Sequence, residues 1–291
     1  MPASAIVVCL RPVVQTHLPL RLIEGGMGLR PADALLAPNP ADLTALAVAL
    51  RLRAEAGGNL RVVALTVGPA AWEEPLRLAL GAGADEALRV ARPGGEAPPP
   101  DGSAATTAAA AAAAAGVIGT LNAALVLTGD RSADLGHGCF AALLAHALGL
   151  PLALRAQALR GEGGGWVARA KLEAGYTQEL RLAAPAVVAL APGPEAPPPA
   201  SLPRWLAARA ATIRVVPMPG PSAPGASTRL RAPVPRVRPY RVPDPDLPPD
   251  ERIGALLAAP EGRAGRVLDA DTDPAVQAAE AARLLAARGF V

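Results

Sequence analysis

Aromatic residues are scarce in this 291-residue chain: Phe, Trp and Tyr together make up 2% of it. A core must therefore be filled by Ala, Leu and Val. A basic stripe with interleaved aromatics, the footprint of nucleic-acid binding, is not there. Lysine is scarcer still, with Lys171 the sole example. The formal charge of +3 and the pI near 9.4 rest on arginine in a chain rich in Ala, Gly and Pro. That balance reads as a compositional bias of the genome rather than as a signal for a polyanionic partner. Cys9 and Cys139 are the only cysteines, and no Cys-x-x-Cys pair occurs. A disulfide framework and a cysteine-type zinc site are excluded. No uninterrupted apolar run approaches the ~20 residues of a membrane span. The longest candidate, AATTAAAAAAAAGVIGTLNAALVL, is broken by Gly, Thr and Asn and reads as a helix followed by a strand. The apolar run in MPASAIVVCLRPV is too short for a secretory signal. A cytoplasmic protein with no membrane span, no nucleic-acid partner and no metal site is expected.

What is present is a repeated alternation of strand and helix. AIVVCL (5–10) is a short β-branched run without polar alternation, the mark of a strand buried on both faces. APNPADLTALAVALRLRAEAG (37–57) predicts a helix. Asn39 or Asp42 can cap it, Pro40 suits its first turn, Leu43, Leu46 and Leu50 share a face, and Gly57 with Gly58 stops it. LRVVALTVG (60–68) predicts the next strand. A helix ending at Gly81 or Gly83 follows, then a strand at ALRV. The alanine-rich helix (about 104–116) leads to strand AALVLT (123–128) and helix 140–148. Strands and helices alternating at this spacing predict a doubly wound α/β fold around a mostly parallel sheet. Ligands in such folds bind at the carboxyl ends of the strands.

After Pro151 the pattern changes. Residues 158–192 predict a hairpin or meander closing on a buried strand, followed by a proline-rich loop and a short helix. Residues 217–250 are dense in Pro, Asp and Arg and predict an extended arm. DPAVQAAEAARLLAARGF (273–290) predicts a terminal helix with Asp273 as cap and Gly289 as stop. The expected division is an α/β domain over 1–216 and an arm with its terminal helix over 217–291, suited to docking on a partner.

The stretch GDRSADLGHGCF (129–140) joins the 123–128 strand to the 140–148 helix. Its glycines let backbone approach a ligand, and the helix directs its positive end at the loop, so a phosphate could be held by main-chain N–H groups. Read from residues alone, an ordinary glycine-rich strand-to-helix turn is the favoured reading of this loop, ahead of nucleotide binding. His137 and Cys139 lack a third orienting group, no GxSxG elbow is present, and no catalytic residue is assigned.

Five segments in order resemble one family. NPADLTALAVALRLR, LTVGPAAWEEPLRLALGAGADEALRV, LTGDRSADLGHGCFAALLAHALGLP, APAVVALAPGPEAPPPASLPRWLAARA and PEGRAGRVLDADTDPAVQAAEAARLLAARGF are together similar to the beta subunit of electron-transfer flavoprotein. The resemblance implies an adenine-nucleotide alpha-hydrolase-like domain with no catalytic residues of its own. It implies an AMP held by this subunit and an FAD held mainly by an alpha subunit, onto which the C-terminal arm wraps. It implies electrons accepted from flavoprotein dehydrogenases and passed toward an electron-transfer flavoprotein-quinone oxidoreductase. The AMP residues it implies are Cys9, Asn39, Pro40, Ala41, Asp42 and Val67, then Gly129, Asp130, Arg131, Ser132, Ala133, Asp134, Leu135, Gly136, His137, Gly138, Cys139 and Phe140. Where the family carries an acidic cluster and an Asn-Gln-Thr-Gly run, this chain has Leu135 to Cys139, which shifts phosphate binding onto backbone. Leu202 falls at the family's recognition-loop leucine, with Pro203 and Trp205 beside it. Two alternatives stay open: an electron-bifurcating carrier with a second FAD in this loop, and a stand-alone nucleotide-hydrolysing or adenylating enzyme of the same superfold.

Overall fold

The computed structural model describes residues 4–21, 35–91, 104–218, 244–257 and 273–287. The chain forms two compact units, residues 1–230 and 231–291.

The first unit is built on β1 (Ala5–Cys9), a short antiparallel pair β2 (Pro12–Val14) and β3 (Leu36–Pro38), α1 (Pro40–Glu55), β4 (Arg61–Val67), α2 (Glu74–Ala82) and β5 (Glu86–Ala91). It continues through α3 (Ala104–Ile118), β6 (Ala123–Gly129), α4 (Phe140–Leu148), β7 (Leu152–Glu162), β8 (Gly165–Lys171), β9 (Thr177–Ala183), β10 (Ala186–Leu190), α5 (Leu202–Ala210) and β11 (Arg214–Pro217). The nine-stranded sheet runs β11-β5-β4-β1-β6-β10-β7-β8-β9. All neighbours from β11 to β7 are parallel, and β8 and β9 continue it as an antiparallel meander.

The sheet is doubly wound, as expected. Alternate residues of each central strand feed two apolar layers. Ile6, Val8, Val62, Ala64, Leu125, Leu127, Val188 and Leu190 pack with α1 and α2. Val7, Cys9, Val63, Leu65, Val126 and Val187 pack with α3 and α4. The strand order grows from β1 through β4 to β5, then returns to place β6 on the other flank of β1. This reversal opens a crevice beyond the carboxyl ends of β1 and β6, where doubly wound folds take ligands.

Two sequence expectations need correction. The helix expected over 37–57 starts at Pro40, and residues 36–38 are a strand paired with β2. Ala37 and Asn39 both precede proline, which disfavours helical backbone there. Helix α1 is also buried nearly all round rather than on one leucine face. It lies across five strands, β1, β4, β6, β7 and β10, with small Ala side chains allowing close approach. Helix α4 has the expected bounds, and Gly149 closes it in a left-handed conformation.

In the second unit, α6 (Pro249–Leu257) begins two residues inside the stretch expected to be extended. α7 (Pro274–Ala287) starts at Asp273, whose Oδ1 accepts the Ala275 N–H at 2.7 Å. Residues 219–243 of the arm, and Gly289, lie outside the described residues.

Candidate functional site

The loop from Asp130 to Cys139 lies over the crevice and is braced from the α1 side by two buried side chains. Asp42 Oδ1 accepts the Gly129 N–H at 3.0 Å and the Asn39 Nδ2–H at 2.9 Å, and Oδ2 accepts the Arg11 N–H at 2.9 Å. Asn39 also donates to the Arg131 carbonyl (3.1 Å) and accepts from the Ala133 N–H (3.2 Å). Expected as a helix cap, Asn39 occupies the cap position but makes no side-chain cap bond. Its amide is spent on the opposite loop. Gly129 is required here: a Cβ would collide with Asp42 Oδ1 and Ala41 Cβ. Burial pushes the Asp42 carboxyl up to about 7, and the Arg11, Asn39 and Gly129 donors pull it back only in part.

A second brace joins the loop to the segment after β1. Asp134 Oδ2 accepts from Arg11 Nη2 (3.2 Å) and the Val14 N–H (3.3 Å), and Oδ1 accepts the Leu135 N–H (2.7 Å). The Arg11 guanidinium sits 5.5 Å above the Trp72 ring, which packs flat on Gly68 at the end of β4. Gly136 and Gly138 both adopt positive φ, which lets the loop fold back until Gly138 abuts the Asp130 carbonyl.

The implied nucleotide residues thus fall into two groups. Asn39 and Asp42 face the α1 side and hold the loop; Pro40 and Ala41 open α1 beside them. Cys9, Val67 and Phe140 belong to the α3/α4 layer across the sheet. Burial drives the Cys9 thiol far above its ordinary range, so it is an inert apolar neighbour. Arg131, Ala133, Leu135, Gly136 and His137 are exposed on the loop's rim, with Ser132 and Cys139 half-buried.

The resemblance implies Asp130 as one nucleotide residue of the loop, without assigning it a particular contact. Its N–H donates to the Leu190 carbonyl at 2.8 Å, which extends the β6–β10 ladder by one residue. The two-residue alternation of Val126 and Thr128 therefore turns Asp130 to the α3/α4 face, beside α4. Its side chain is 7% exposed, Oδ2 lies 3.8 Å from Arg131 Nε, and Oδ1 has no hydrogen-bond partner. Burial raises its carboxyl, opposed by the charge and backbone N–H of Arg131, by the charge of Arg155 and by its own backbone N–H, so that only Oδ1 is left bare. Arg155 itself sits at positive φ in an irregularity of β7. Nearby, the cap residue Cys139 gives α4 no side-chain cap, so the first-turn N–H groups face the loop.

These observations test the fit of an adenylate. The uncapped helix end offers donors for a phosphate, the paired glycines bring main chain close, and Asp130 Oδ1 is a buried acceptor without a donor. The residues fit a phosphorylated nucleoside, with backbone taking the place of phosphate-gripping side chains. Among the described residues, no three His, Cys, Asp or Glu are grouped to hold a metal ion. No described helix is long and apolar enough to cross a membrane.

The implied docking residues lie at the start of α5. Leu202 is 67% exposed and Trp205 45%, with Leu206 and Pro203 also open and Arg209 stacked 4.9 Å over the Trp205 ring. The far end of α5 is held by α2. Arg77 Nη1 donates to the carbonyls of Ala208, Arg209 and Ala211 at 2.9–3.1 Å. Arg77 Nη2 bonds Glu73, which also receives the buried Arg89.

Comparison with known proteins gives a consistent family. Residues 33–220 match the family model described as the electron transfer flavoprotein domain. The chain is 28% identical over 183 residues to the electron transfer flavoprotein subunit beta of Bradyrhizobium diazoefficiens, covering 63% of this chain and 69% of that protein. It is 40% identical over 85 residues to the mitochondrial electron transfer flavoprotein subunit beta of Oryza sativa subsp. indica, covering 29% of this chain and 33% of that protein.

Proposed function

The chain belongs to the electron transfer flavoprotein family as a beta subunit, and on that premise we propose that it is the nucleotide-bearing, partner-docking half of a two-subunit electron carrier. An alpha subunit holds the FAD, which supplies the redox chemistry. This chain holds AMP in the crevice over β1 and β6. The observation that carries the reading is the uncapped amino end of α4 facing a loop of glycines, with a buried unpartnered acceptor beside it. Main-chain N–H groups of residues 136–141 take the phosphate, and Cys9 and Val67 form the apolar floor for the base. Asn39 and Asp42 act through the loop they hold. The carrier takes electrons from flavoprotein dehydrogenases and delivers them to a quinone-reducing oxidoreductase, in the cytoplasm. Leu202, Pro203 and Trp205 form the anchor for the dehydrogenase, and residues 217–291 dock on alpha.

The test is co-expression with an alpha subunit, followed by a visible spectrum and nucleotide count on the purified complex. A yellow heterodimer with one FAD and one AMP is expected. Two flavins and no AMP would move the FAD into this loop, and rapid ATP hydrolysis by the isolated chain would replace the carrier reading with an enzyme.

A further inference from the structure

The crevice contains two unsatisfied sets of opposite sense, side by side. The first is the row of donors at the uncapped start of the nine-residue α4. The second is Asp130 Oδ1, buried and without a donor. They do not bond each other. Gly138, one residue before the helix cap, lies close to the Asp130 carbonyl, which brings the start of α4 next to this residue.

An unpartnered buried carboxylate oxygen is costly, on the order of 1–3 kcal/mol or more for a charged group. A phosphate cannot satisfy it, because both groups are acceptors and both are negative. The remedy is a ligand that carries a donor a few ångströms from its phosphate. In a nucleoside 5′-phosphate that donor is the sugar. The base is placed elsewhere: Cys9 and Val67 end β1 and β4, and β1 separates β4 from β6. At ~4.8 Å between neighbouring strands, the distance from the β4 end to the β6 end is ~10 Å, about the reach of a nucleoside monophosphate.

We propose that Asp130 is the sugar-reading residue of this site, accepting a hydrogen bond from one ribose hydroxyl through Oδ1 and so discriminating against the nucleotide that lacks that hydroxyl. The proposal rests on the nucleotide-binding reading above and adds to it a specificity determinant. It also explains why this chain tolerates an acid where a phosphate must come close: the acid faces the sugar and not the phosphate.

The experiment is calorimetric titration of the full chain, freed of copurified nucleotide, with AMP, 2′-deoxyAMP, 3′-deoxyAMP and purine riboside 5′-monophosphate. The last keeps the sugar and lacks the base amine. One deoxy analogue should bind about 10- to 100-fold more weakly than AMP, and the riboside should bind like AMP. In Asp130→Ala the gap between AMP and the deoxy analogue should close. Asp130→Ala should leave the ligand-free unfolding midpoint unchanged or raise it, because it removes an orphaned buried group. A merely structural aspartate would lower that midpoint instead. Equal binding of AMP and both deoxy analogues overturns the assignment while leaving the nucleotide site standing. A selective loss with the riboside moves Asp130 to the base and overturns it too. Failure of every nucleotide to bind removes the site and the assignment together.

Discussion

Replacing Asp42 by Asn should abolish a pH dependence of stability that runs opposite to the usual carboxylate. Asp42 is buried beneath the 130–139 loop with three N–H donors on its two oxygens. Despite them, desolvation dominates and its carboxyl is pushed up to about 7. In the unfolded chain an aspartate titrates near ~3.9. Between those values the folded protein binds a proton that the unfolded chain has released. Stability from this residue is therefore fully present below about pH 4 and is lost as pH rises through about 7. At roughly 1.4 kcal/mol per pH unit, the loss across the window is on the order of 4 kcal/mol. The assay is urea unfolding of the full chain, followed by circular dichroism at half-unit steps from pH 4.5 to 8. The stability of wild type minus Asp42→Asn should fall steadily across that range. At low pH the Asn variant should be the weaker protein, because its NH₂ opposes the Arg11 N–H where an oxygen accepted it, at about 1–3 kcal/mol. A difference that stays flat, or grows with pH, would refute the claim that dehydration outweighs the three donors.

Three further outcomes follow from the same geometry. Gly129→Ala should destabilise the α/β unit by roughly 1–3 kcal/mol, since its methyl group overlaps Asp42 and Ala41, and thermal unfolding measures it. Arg77→Ala strips one donor group from three carbonyls at the end of α5. Faster amide exchange in α5, with a loss of about 1–2 kcal/mol of stability, is expected by hydrogen-exchange mass spectrometry. Leu202→Ala, in the heterodimer with alpha, should weaken the apparent affinity for a donor dehydrogenase by about 10-fold or more with flavin content unchanged. An unchanged rate at limiting donor would remove Leu202 as the anchor.

The strands and helices around the crevice were legible because each carries its own local signal. β1 and β4 are short runs rich in β-branched residues, and α4 ends where Gly149 must take a left-handed conformation. The doubly wound class followed from their alternation. The small β2–β3 pair was not legible. Three residues of strand have no period to read, so residues 37 and 38 read only as the approach to the helix. Nor was the burial of α1 on nearly every side, since an Ala-rich helix reads alike whether it faces a sheet with one stripe or is sunk over five strands.

The site divides along the same line. Its glycines announced a close approach of backbone, which Gly129 and Gly138 make; Gly136 instead supplies a positive φ in open space. The polar side chains announced less, because sequence shows a side chain's type and not where its bonds are spent. Asn39 carries the composition of a cap and serves as a strut across 92 residues. Asp134 and Asp130, four residues apart in one loop, have the same chemistry and opposite fates. Asp134 is saturated by Arg11 and two N–H groups, while Asp130 keeps a bare oxygen. Only strand parity separates them: Asp130 continues the alternation of β6 toward α4, and Asp134 lies beyond it, where the loop crosses back over Arg11. A sequence-level signal did exist in the position of an acid one step past the last glycine of a buried strand. Its meaning depended on the β10 carbonyl that carries the ladder onward, a contact 60 residues away that no local pattern encodes.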